Sequence, residues 1–149
     1  MYKRNARVLF LGMGHFSRSS MAQGWVGHLG TGRLEARAAD IEPQARNPAA
    51  MAVMREAGVD MPGGLPVHPT PALLAWADLV ISVCPDADKR CPALPAGTQK
   101  RLWRLSTPDD GGADEESDLY AWRTVRDEIR SRIEGMIGGM NMLERMDRE

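Results

Sequence analysis

Short, nearly unbroken apolar runs, each followed by a turn and a helix-spaced segment, constrain this chain more than any other feature. Ala6 to Leu11 is the first. A run without polar alternation fits a central parallel strand covered on both faces. Arg18 to Leu29 follows, with Met21, Ala22, Trp25 and Leu29 at helical spacing and Gly30 and Gly32 to stop it. Leu34 to Ala39 reads as a second strand. Asn47-Pro48, a cap followed by proline at the first helical position, opens a helix through Met51, Val53 and Met54 to Gly58. Met61 to Pro71 holds four prolines and two glycines and reads as loop. Thr70-Pro71 starts a short helix to Trp76. "DLVISVC", Asp78 to Cys84, is another buried strand, and Gln99 to Leu105 completes a set of four. An acidic loop from Pro108 to Ser117 leads into a helix from Leu119 to Ile137, with Leu119, Trp122, Val125, Ile129 and Ile133 facing inward. Gly138-Gly139 are expected to end it, leaving residues 138–149 as a flexible, Met-rich tail.

Alternating strands and helices predict an α/β fold, a four-stranded parallel sheet with helices on both faces. The 149 residues make one domain, 1–149, able to bury its core without disulfide support. Ligands of such sheets lie beyond the carboxyl ends of the strands. The first strand ends at Leu11, so Gly12 to Arg18 stand where a ligand would be.

The formal net charge of −1 argues against nucleic acid or a membrane surface as partner. The apolar run Val8 to Leu11 is too short for a signal segment or a span, so a cytoplasmic location is expected. In a reducing compartment Cys84 and Cys91 are expected as free thiols or a transient pair. His15, His28 and His68 show no metal-ligand spacing, His28 is expected on its helix surface, and no cofactor is implied.

From Ala6 to Ile137 the chain resembles the low-molecular-weight protein tyrosine phosphatases and, within them, the thioredoxin-coupled arsenate reductases. The signature of that family is a strand, Cys, five residues, then Arg-Ser. Arg18-Ser19 take the Arg-Ser positions and Gly12 the position of the cysteine. "IEPQARNPAAMAVMREAGVD" (Ile41 to Asp60) resembles the family's Glu-Pro, Asn-Pro and Gly-Ile-Asp segment. "ADLVISVCPDADKRCPALP" (Ala77 to Pro95) resembles the redox segment, with Cys84 and Cys91 on the two recycling cysteines. "LWRLSTPD" (Leu102 to Asp109) resembles the Trp and Asp-Pro of the general-acid loop, with Thr107 in place of the aspartate.

The resemblance implies a thiolate that attacks the phosphorus or arsenic of an oxyanion. Gly12 has no side chain with which to do so, and a threonine hydroxyl does not release a proton near neutral pH. Ser17 and Ser19 are nearby, but serine needs a base to activate it and the loop geometry aims Ser17 elsewhere; Asp109 or Asp110 could replace the acid only if the loop shifts. The catalytic chemistry is therefore expected to be lost. Anion binding needs less: the N–H groups of Met13, Gly14, His15, Phe16, Ser17, Arg18 and Ser19 at a helix N-terminus, with Arg18 as a clamp, suit a tetrahedral oxyanion such as arsenate, phosphate or sulfate. His15 replaces an asparagine that often takes a left-handed conformation, which histidine also tolerates. Met13 and Phe16 are bulky, so the loop is either an open anion site or plugged by its own side chains. The alternative is an arsenate reductase, or a redox or As(III)-binding protein, working through Cys84 and Cys91. It would have a thioredoxin-type reductant as partner and would require Pro85 to Arg90 to unwind before the two sulfurs could meet. A third possibility is a binding surface formed by Met13, Phe16 and the tail methionines Met136, Met140, Met142 and Met146.

Overall fold

A computed structural model describes residues 4–30, 32–61, 66–108 and 115–147. Side chains are described through residue 140, those of 115–118 excepted. The elements run β1 (Ala6–Gly12), α1 (Arg18–Leu29), β2 (Leu34–Asp40), α2 (Pro48–Glu56), α3 (Pro71–Trp76), β3 (Leu79–Ser82), α4 (Pro85–Lys89), β4 (Gln99–Leu102) and α5 (Glu115–Asp147). The four strands form one sheet in the order β2-β1-β3-β4, every pair parallel. The α/β architecture expected from the alternation is the one found.

Strand β1 shows why an unbroken apolar run suits the centre of such a sheet. Successive side chains point to opposite faces. Val8 and Phe10 enter one core with Met21, Trp25 and Val26 of α1, Val53 and Met54 of α2, and Trp122, Val125, Ile129 and Ile133 of α5. Leu9 and Leu11 enter the other, with Leu73 and Leu74 of α3, Val80 of β3 and Ala87 of α4. Both layers are needed, since either face left bare would expose a row of large apolar groups at about 1.5–3 kcal/mol each.

Local chemistry sets most boundaries. The Asn47 side chain accepts from the Ala49 N–H at 2.9 Å and Thr70 from the Leu73 N–H at 3.1 Å, each followed by proline at the first helical position. The strand expected over Asp78 to Cys84 is shorter, Leu79–Ser82: Cys84 already caps α4, whose first residue is Pro85, and at the other end the Asp78 side chain takes Arg4 at 2.7 and 2.8 Å. Beyond β3 the Val83 N–H still reaches the Leu11 carbonyl at 2.9 Å, which seats Cys84 next to the end of β1.

The last helix corrects an expectation. It does not stop at Gly138-Gly139 but continues through both to Asp147. Each glycine costs about 1 kcal/mol in a helix interior, and the partly buried Met136, Ile137 and Met140 pack onto the α1–α5 core. That packing outweighs the glycine penalty. The helix also begins at Glu115, so the expected loop from Pro108 is shorter than its acidic composition suggested. Residues 109–114, with Asp109 and Asp110, lie outside the described residues, as do the Met142 and Met146 side chains.

Candidate functional site

The turn between β1 and α1 is a tight loop built on two left-handed residues. Gly14 has φ of 120°, and a Cβ there would run into the Glu42 carbonyl. Ser17, with φ of 55°, carries the strain that such a conformation imposes on a side-chain-bearing residue. Its hydroxyl accepts the Asn47 N–H at 2.9 Å, tying the loop to the start of α2. His15, expected in the left-handed region, is not there: Gly14 and Ser17 make the reversal, leaving His15 exposed with its ring edge-on to Phe16 at 4.6 Å.

Met13 and Phe16 do not meet across the loop. Met13 packs onto the core under α3 and α4. Phe16 packs onto the opposite core, 6.0 Å from Trp122. They line the walls of a cavity of about 10 Å³ bounded by Gly12 to Arg18, Asp40 and Val83. That volume is at the threshold for a single water.

Arg18 is 7% exposed and turned toward the segment after β4. Its Nη1 donates to the Ser106 carbonyl at 3.1 Å and the Leu105 carbonyl at 3.3 Å, with Thr107 Oγ1 at 3.5 Å. Its guanidinium lies over the Phe16 ring at 5.4 Å. Burial pulls its pKa down, opposed by Cys84 and Glu128; a guanidinium remains charged regardless. Glu128 of α5 fixes the same segment, accepting from Ser106 N–H at 2.9 Å and Ser106 Oγ at 2.8 Å. The fold thus brings Thr107, 89 positions away in the chain, to Arg18.

Cys84 is buried at the N-cap of α4, within electrostatic reach of Arg18. Cys91 lies just past that helix, half-buried, its sulfhydryl donating to the Pro92 carbonyl at 3.4 Å, and burial pushes its pKa up. Both are free thiols in this structure. The intervening Pro85–Lys89 is helical. His28 is exposed on α1. Among the described residues no helix is long and apolar enough to cross a membrane.

One residue that the sequence analysis passed over closes the site. Asp40 ends β2 directly opposite Gly12, is 1% exposed, and accepts from Ser19 Oγ at 2.7 Å. Burial raises its pKa, and the Ser19 hydrogen bond and the Arg46 charge work against that rise. The signal was available: a carboxylate directly after Ala38-Ala39, at the carboxyl end of a strand beside β1.

This architecture matches known proteins over most of the chain. The model of the low molecular weight phosphotyrosine protein phosphatases matches residues 7–149. The chain belongs to that family. An arsenate reductase of Bacillus licheniformis is 38% identical over 127 residues, covering 85% of this chain and 91% of the relative. One from Bacillus subtilis is 32% identical over 129 residues, covering 87% and 93%. Among solved structures, an arsenate reductase in the phosphate-binding state superposes with a TM-score of 0.71 at 28% identity, covering 90% of this chain and 98% of the other. The thioredoxin-dependent arsenate reductase of Corynebacterium glutamicum gives 0.74 at 22% identity, covering 95% and 65%, and supports the fold alone. This phosphatase-family member is thus similar to arsenate reductases in sequence and architecture together.

Proposed function

We propose that this chain is an arsenate-reductase-like protein that no longer performs thiolate chemistry at its first strand–helix turn and uses that turn to hold a tetrahedral oxyanion. The observation that carries the reading is Gly12. It stands where the family's nucleophile belongs, and Asp40, Val83 and Ser19 crowd the place of its absent side chain at 2.9, 3.3 and 3.4 Å. Ser17 has no base, its hydroxyl accepting from the Asn47 N–H, and Ser19, although it donates to the Asp40 carboxylate, is fully buried at the foot of the loop, away from any entering substrate. Thr107 offers Arg18 a hydroxyl and no acidic proton. Loop amides at the N-terminus of α1 and the charge of Arg18 favour an anion; the cavity of about 10 Å³ admits no tetrahedral ion as it stands, so binding requires the loop to open around one. A relative in a phosphate-binding state supports an anion of this class.

The test is arsenate reduction with thioredoxin, its reductase and NADPH, together with p-nitrophenyl phosphate hydrolysis. Neither is expected to exceed background. Reproducible turnover abolished by Arg18→Ala would overturn the reading.

A second reading rests on Cys84 and Cys91, two free thiols flanking the short helix α4. In that case Cys84 and Cys91 would together give two electrons and two protons to arsenate, closing a disulfide and releasing arsenite and water. A thioredoxin-type dithiol would then reopen the disulfide. It requires α4 to unwind and predicts arsenate reduction lost in Cys84→Ser and Cys91→Ser alike. Equal activity of both variants and wild type would end it.

A further inference from the structure

Gly12 is not a glycine for conformational reasons. Its φ lies outside the left-handed region, so the backbone there accepts any residue. What position 12 lacks is space. Strands β1 and β2 are paired in register through Gly12 and Asp40, and the pairing continues past them: the Ile41 N–H donates to the Gly12 carbonyl at 2.9 Å and Glu42 N–H to the Met13 carbonyl at 2.8 Å. Asp40 N–H is held by the Val67 carbonyl at 2.8 Å. The Asp40 side chain is thereby fixed against the foot of the loop, its Oδ1 held by Ser19 and lying 2.9 Å from where a Cβ of residue 12 would be. The same carboxylate forms part of the wall of the 10 Å³ cavity inside the loop.

We propose that the Asp40 carboxylate is the resident anion of this loop, filling the place of a side chain at position 12 and deciding which oxyanions can enter. The proposal rests on the reading that the loop holds an oxyanion, and it names the class. Hydrogen phosphate and hydrogen arsenate carry a proton that they can donate to an ionised Asp40. Sulfate carries none near neutral pH and meets only a like charge. Asp40 is thus a specificity-determining residue, selecting protonated tetrahedral oxyanions. Arg46 from the segment before α2 supplies positive charge to it, and Arg18 lines the same cavity.

The experiment is calorimetric titration of wild type, Asp40→Asn and Asp40→Ala with inorganic phosphate and with inorganic sulfate. In wild type phosphate is expected to bind at least about tenfold more tightly than sulfate, as a donated hydrogen bond replaced by charge repulsion requires. In Asp40→Asn, sulfate affinity is expected to rise about tenfold or more and the preference to collapse. Unchanged sulfate affinity in both variants would overturn the proposal. The earlier reading fails separately, by turnover in the assays above or by phosphate binding that survives Arg18→Ala. Shared space is tested without any ligand. Gly12→Cys is expected to lower the melting temperature of wild type by several degrees and to cost much less in an Asp40→Ala background. An equal drop in both backgrounds would show that the two positions do not compete, and would also sink the idea.

Discussion

The Arg18 guanidinium donates to the Ser106 carbonyl at 3.1 Å, joining the start of α1 to the segment after β4. Glu128 of α5 holds Ser106 from the other side through both its N–H and its hydroxyl. Three distant stretches therefore meet at one residue, and the arginine that would clamp an anion also fixes the wall beside it.

Arg18→Ala should consequently do more than weaken anion binding. Two buried or part-buried carbonyl contacts and the stacking on Phe16 are lost, offset by relief of burying a cation. The expected net destabilisation is about 2 kcal/mol. Urea unfolding measures it, and faster proteolysis within Trp103 to Pro108 should accompany it. A variant as stable and as resistant as wild type would show that the tie contributes nothing.

Two glycines should respond to alanine with opposite signs. Gly14→Ala places a methyl group in the left-handed region and against the Glu42 carbonyl, and should destabilise by about 3 kcal/mol. At Gly138, inside α5, an added Cβ meets nothing within 4 Å, so Gly138→Ala should stabilise by about 1 kcal/mol. Thermal unfolding of the pair checks both. Loss of stability in Gly138→Ala would contradict a helix continuing through that position.

The two thiols should react slowly and in a fixed order. Cys91 is the more accessible, and its pKa is raised chiefly by burial, so its thiolate is scarce at neutral pH. Iodoacetamide should label Cys91 before Cys84, more slowly than a free peptide cysteine, with a rate still climbing above pH 9. Mass spectrometry of timed samples reads the order directly; prior labelling of Cys84 would mean that α4 opens readily.

Asp78 predicts how the protein weakens in acid. Hydrogen bonds from Arg4 and from the Arg7 N–H hold its carboxyl down at about 2. A depressed pKa contributes stability above the unfolded value near 3.8, lost as pH falls through the folded value near 2. Asp78→Asn should therefore lower the urea midpoint at pH 7, and the gap from wild type should close between about pH 4 and pH 2. The pair is partly exposed, so added salt should narrow the gap at neutral pH. A gap independent of pH would assign the effect to packing.

The parts of this molecule that could be read along the chain are those governed by near neighbours. Val8 to Leu11 is apolar on both alternating faces because both faces are covered, and that pattern needs no partner to be recognised. The Asn47-Pro48 and Thr70-Pro71 starts are legible because a cap and its N–H lie two or three residues apart. Gly138-Gly139 misled for the same reason: locally they read as a stop, and the packing of Met136, Ile137 and Met140 on a distant core overrides them. His15 was assigned the left-handed turn on residue type, whereas the Glu42 carbonyl places that demand on Gly14.

The sequence by itself determined the alternation of strands and helices, the family, and the absence of a side chain at Gly12, because each is written in residue types or in short-range periodicity. Only the tertiary structure decided what occupies the space at Gly12 and where Arg18 points. Those answers depend on register across β1 and β2 and on contacts spanning tens of residues, where a side chain's neighbour is set by the packed sheet and not by its place in the chain.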